Sequence, residues 1–145
     1  MIRKLFRFMI LLSFASTILT EGYALNCRAA IAHGHAKSPY TGQYSGPYTV
    51  ESSAFGEQTG KFTLSIAKNG EVIGKAENHT ISKTADISGS VNEDGEIKVI
   101  LEWSDTTYTM SGTITKTKSG HLKGTLNQYA GKEVIAVIKM DLQPR

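Results

Sequence analysis

The chain holds a single cysteine in 145 residues. No internal disulfide can staple it, so the fold has to stand on its core. No Gly-x-Ser-x-Gly, His-Glu-x-x-His or phosphate-binding glycine loop occurs in it, which leaves hydrolase elbows, zinc-peptidase helices and nucleotide cradles without a nominee. The one thiol, Cys27, sits near the N-terminus outside any patterned segment, so a Cys–His nucleophile finds no support either. Neither a catalytic residue, a cofactor nor a metal is nominated.

Charge of one sign is also scarce once the N-terminus is set apart. Arg3, Lys4 and Arg7 form a basic start, and Phe8 to Leu19 is an apolar run too short to span a bilayer comfortably. Gly22-Tyr23-Ala24 then places small residues at the −3 and −1 positions of a cleavage site. Residues 1–24 read as a secretory signal peptide, and the protein as exported, either periplasmic or secreted. Of 16 basic and 13 acidic residues, Arg3, Lys4, Arg7 and Glu21 leave with the signal, so 13 and 12 remain. The remaining lysines are scattered rather than gathered in a patch, which excludes a nucleic-acid footprint. Cys27 supplies a second reading of the same region: processing at the cysteine with lipid attached, which would tie the protein to a membrane. The preceding Ala24-Leu25-Asn26 departs from the usual lipoprotein pattern.

What the chain does have is a repeat. Asn69-Gly70, Asp94-Gly95 and Ser119-Gly120 recur at a 25-residue interval, with apolar residues at even offsets and polar ones at odd offsets around each. That is period-two alternation in an array of β-hairpins. Parity selects the turn. A two-residue loop at 69–70 would put the apolar residues of the two strands on opposite faces. A three-residue loop pairs Ile66 with Val72, Leu64 with Gly74 and Phe62 with Ala76, all on one side. The same register pairs Val91 with Ile97, Gly89 with Val99, Ile87 with Leu101, Ile114 with Gly124 and Gly112 with Leu126.

In that register Gly74, Gly89, Gly112 and Gly124 face inward, each opposite a larger aliphatic residue. Glycine inside a strand weakens it, but marks places where a sheet bends sharply. The expected fold is all-β, an antiparallel up-and-down barrel of eight strands, with a β-sandwich as the alternative. The strands are expected at 48–53, 61–67, 71–77, 85–92, 96–103, 108–117, 121–128 and 133–142. Residues 25–39 read as a flexible leader and 40–145 as one barrel domain. A membrane barrel, apolar side outward, is disfavoured because strands this short fall below the usual nine to eleven residues.

The glycine turns share one end of such a meander. The other end is expected to carry longer connections, at 55–60, 78–84, 104–107 and 129–132. Trp103 and Tyr108 flank one of them on the inward face, and Phe62 and Tyr48 fall in the same layer. These four are the candidate ligand-binding residues, an aromatic mouth suited to a small apolar or amphipathic molecule. The competing view makes the rings caps on a filled core. A protein–protein module acting through the same loops, such as an inhibitor of a secreted enzyme, is the second function class. An enzyme ranks last.

Other groupings carry less. His33-Gly34-His35 lies in the leader with no further ligand at metal spacing. His79 and His121 are isolated and expected in solvent. Asp86 and Glu102 oppose each other on the outer wall, where a lysine from the next strand would relieve them. Lys116 stands at an inward offset near a turn, where its ammonium can reach water past the rim. Asn78-His79-Thr80 matches the glycosylation acceptor pattern.

Overall fold

A computed structural model describes residues 37–145. The expected signal peptide at 1–24, and Cys27, His33 and His35 of the expected leader, lie outside the described residues. Within them the chain forms β1 (Gly42–Ser52), β2 (Gly56–Ile66), β3 (Glu71–Asn78), β4 (Lys83–Val91), β5 (Glu96–Glu102), β6 (Thr107–Lys116), β7 (Leu122–Ala130) and β8 (Glu133–Pro144). Each strand pairs antiparallel with the next, and β1 pairs with β8 to close the barrel.

Every pair expected from parity is present. Ile66 faces Val72, Leu64 faces Gly74 and Phe62 faces Ala76. The second and third hairpins keep the same phase, with Val91 against Ile97 and Ile114 against Gly124. The first turn shows why the loop has three residues. The Ala67 N–H donates to the Glu71 carbonyl at 2.8 Å, and the Gly70 N–H donates back to Ala67 at 3.0 Å. Gly70 then takes a φ of 84°, the left-handed conformation that closes a type I turn with a bulge.

The three turns are not equivalent. A side chain at Gly70 would overlap the Val91 carbonyl, and one at Gly95 would overlap the Ile114 carbonyl and the Tyr40 ring tip. At Gly120 the nearest atom is Pro144 Cγ at 3.5 Å. Alanine at any of the three should cost about 1–2 kcal/mol for the left-handed backbone. At Gly70 and Gly95 the collision should add roughly 1–3 kcal/mol. Denaturation midpoints of the three variants check this ranking, and equal losses would put the whole cost on the turn backbone.

The inward strand glycines do close the wall. At Gly89 an added Cβ would overlap the Lys98 carbonyl and lie 2.6 Å from the Val99 Cα on the facing strand. The neighbouring backbone occupies the space a side chain would need. The inner face is apolar, with Tyr44, Phe62, Ile97, Met110, Ile114, Leu126 and Ile138 all fully buried. The outer face carries Lys75, Asp86, Lys98, Glu102, Lys123 and Lys139, all exposed. That is the inverse of a membrane barrel, whose apolar band faces out. Strand length, by contrast, does not argue against one, because β1, β2, β6 and β8 run to 11, 11, 10 and 12 residues.

Two boundaries differ from the sequence expectation by more than two residues. β1 starts at Gly42 rather than at 48, and β2 starts at Gly56, so 56–60 is strand and not a turn cluster. Glycines at 42, 46, 56 and 60 read locally as breakers, but at Gly46 and Gly60 the paired strands need the missing side chain. A Cβ on Gly46 would overlap the Asp141 carbonyl of β8. The connections at the aromatic end therefore shrink to 53–55, 79–82, 103–106 and 131–132, no longer than those at the glycine-turn end.

The glycine-turn end is plugged by the residues before β1. The Ser38 N–H donates to the Lys68 carbonyl at 2.9 Å, and Ser38 itself is buried. The Tyr44 hydroxyl donates to the Tyr40 carbonyl at 2.9 Å. Lys116 reaches over this end, its Nζ 3.4 Å from the Pro39 carbonyl and 5.7 Å from the Tyr44 ring centre.

Candidate functional site

At the opposite end the barrel is hollow. Tyr48 of β1 and Phe62 of β2 stack with ring centres 4.1 Å apart and planes 22° from parallel. Above them opens a pocket of about 240 Å³. On the other side of Phe62 the interior retains only about 10 Å³, walled by aliphatic side chains and methionines, no more than the least a single water needs. Phe62 borders both spaces. The barrel is thus a filled core at one end and a cup at the other, with the stacked pair as the floor.

The four aromatic candidates all line this cup. Tyr48 and Phe62 are buried, while Trp103 and Tyr108 are half-buried and lean on the core from β5–β6. The connection between them is tight, with the Trp103 N–H donating to the Thr106 carbonyl at 2.9 Å. Val50, Leu101, Ala136 and Ile138 complete the apolar wall, and Phe55 and Ile81 stand exposed at the rim. Phe55 is held by Ser52, whose Oγ accepts from the Phe55 N–H at 3.1 Å and donates to the Ile135 carbonyl at 2.8 Å.

Three amides also line the cup: Gln58 and Gln128, which no sequence pattern singled out, and Asn78, expected only as a glycosylation acceptor. Asn78 Oδ1 accepts from the Thr80 and Ile81 N–H groups at 3.0 and 3.2 Å, capping the β3–β4 turn. Its Nδ2 donates to Gln58 Oε1 at 2.7 Å. Asn78 is 4 % exposed, so the nitrogen a glycan would need is buried and bonded. The acceptor tripeptide is a structural cap here.

Burial pushes the Tyr48 hydroxyl up to about 12, so it stays a neutral phenol inside the cup. At the mouth Lys83 Nζ lies 2.8 Å from Asp105 Oδ2. The hydrogen bond from Lys83, then its charge, holds the Asp105 carboxyl below its ordinary range. A depressed carboxylate keeps its partner through neutral pH and loses it only as acid takes the pH below about 4.

The remaining groupings fall outside the cup. Lys75 Nζ sits 3.0 Å from Asp86 Oδ1, the relief expected for the Asp86–Glu102 pair. His121 differs from expectation: its side chain is half-buried and its Nδ1 lies 2.9 Å from Asp141 Oδ1. The register puts Lys123 opposite Asp141 as well, and their 3.0 Å contact makes Asp141 a shared partner. His79 is exposed, 4.0 Å from Glu77. Among the described residues no group of three or more histidine, cysteine or acidic side chains is placed to hold a metal. Compared with protein-family models, with curated proteins and with solved structures, the chain finds no match in any of the three.

Proposed function

We propose that this is an exported, non-catalytic binding protein that takes one small amphipathic molecule into the open end of its barrel. The observation that carries this is the cup itself, about 240 Å³ deep in an otherwise filled barrel. Its volume lies between the roughly 150 Å³ of a cavity that takes benzene and the roughly 300 Å³ at which drug-sized sites begin. One ring with a short substituent fits that range. Apolar walls with a few placed polar groups are the usual composition of such sites. The described lining holds no histidine or cysteine, and its one carboxylate, Asp105, is tied to Lys83. Those features favour binding over chemistry. The export rests on residues 1–24, and any membrane attachment on lipidation of Cys27.

Trp103 is the only tryptophan, which makes the test direct. Its indole fluorescence and its single indole N–H resonance should shift on titration with a one-ring ligand. Trp103→Ala should lose at least about tenfold in affinity by calorimetry while keeping the wild-type circular dichroism. An unfolded variant would make Trp103 structural, and an unmoved indole signal would place the ligand elsewhere. A second reading, a protein partner at the rim, is favoured by Phe55 and Ile81, which are 55 % and 46 % exposed. Native mass spectrometry separates the two: a co-purified small molecule supports the first, a bare chain with a bound protein the second.

A further inference from the structure

The hydrogen-bonding groups of the cup are lopsided, and the lopsidedness names a ligand chemistry. Two backbone N–H groups occupy Asn78 Oδ1, which fixes which way that amide points. Its Nδ2 must then donate, and it donates to Gln58 Oε1. Gln58 is fixed in turn, and its Nε2 is left over as a donor. Backbone donors fix the Asn78 amide, so neither amide can be flipped without losing these bonds.

Two further donors share the lining. The Tyr48 hydroxyl stays protonated, and the Trp103 Nε1–H can only donate. Among the described residues none of these three groups has a hydrogen-bond partner, and none is sealed from solvent. The groups that can only accept, by contrast, are engaged. Asn78 Oδ1 and Gln58 Oε1 are both used, and the Asp105 carboxylate is paired with Lys83. Gln128 and the hydroxyls of Tyr48, Tyr108 and Thr106 offer both kinds and distinguish nothing, so the bias rests on the donor-only Gln58 Nε2 and Trp103 Nε1. The Lys83 ammonium is likewise engaged at the rim, so an anionic head group finds no unpaired cation in the described lining.

Resting on the binding role proposed above, we infer that the cup selects a neutral, planar ring carrying a hydrogen-bond acceptor such as a carbonyl. The ring lies over the Tyr48–Phe62 floor and its oxygen meets Gln58 Nε2, with the Tyr48 hydroxyl and Trp103 indole as the alternative donors nearby. A donor that a bound ligand shields from water without accepting from it costs more than the bond itself gains, so the preference is enforced by the misfit of the wrong ligand.

Acetophenone and ethylbenzene are the probes, alike in shape and differing in the carbonyl. Calorimetry on the wild-type protein should show acetophenone bound about tenfold tighter, the difference one satisfied donor makes. Gln58→Glu keeps an oxygen for Asn78 Nδ2 and replaces the free donor with an acceptor. It should erase that preference. Ethylbenzene binding as tightly as acetophenone would overturn the donor assignment while leaving the cup a ring-binding site. A preference that survives in Gln58→Glu would overturn the role of Gln58. If neither probe binds, the binding role falls too. The wild-type comparison needs no variant, so it decides the matter even if Gln58→Glu fails to fold.

Discussion

Phe62→Ala is expected to cost about 3–5 kcal/mol of stability and to lower the melting temperature by roughly 15–30 °C. The ring is 1 % exposed and stacks on Tyr48 at 4.1 Å. Its loss forfeits burial, leaves a cavity and removes the aromatic pair together. The second consequence is for the cup. Phe62 borders both the 240 Å³ pocket and the small void beneath it, so its removal should join the two. A two-ring ligand should gain affinity in the variant while a one-ring ligand loses it. Phe62→Leu, which keeps most of the volume, should cost less than about 1.5 kcal/mol. Thermal melts and calorimetry with both ligand sizes read out all of this. A melting point within a few degrees of the wild type would mean that the floor is not where the structure puts it.

The periodic part of the fold was legible because it depends on parity alone. Ile66 against Val72 and Val91 against Ile97 follow from a period of two and one turn geometry, repeated three times. The inward glycines were legible for the same reason, and they gave closure. The starts of β1 and β2 were not, since Gly42, Gly46, Gly56 and Gly60 break strands locally and the cross-strand contacts that explain Gly46 and Gly60 are invisible in the sequence. The mouth loops were overestimated as a result. The aromatic ring of the site followed from parity, whereas its volume did not. A cavity is the small difference between wall size and the sum of side chains, and no alternation encodes it. The amides were within reach, however. Continuing the inward phase outward from Phe62, Ala76 and Leu126 arrives at Gln58, Asn78 and Gln128, three polar residues on an apolar face at one end. Polar groups at inward positions are the signal that the core stops there.

Gly60→Ala should disable the site with the smallest change in chemistry. Gly60 lies in the row between Tyr48 on β1 and Asn78 on β3, and it is buried. The Tyr48 ring folds across it, filling the space its side chain would occupy. An alanine methyl would overlap both the Tyr48 ring tip and the Glu77 carbonyl. The ring can swing away, but the carbonyl belongs to the ladder and cannot yield without moving β3. The expected cost is about 1–3 kcal/mol, with Tyr48 driven off Phe62 and into the cup. Ligand affinity should fall below detection although the barrel still folds. Gly131 gives the control, since its φ of 63° is left-handed but nothing lies within 4 Å of its added Cβ. Gly131→Ala carries the backbone cost of about 1–2 kcal/mol and should bind as the wild type does. Should Gly60→Ala bind equally well, the stacked floor is not what holds the ligand, and the cup would have to take its occupant against the Trp103 and Tyr108 wall instead.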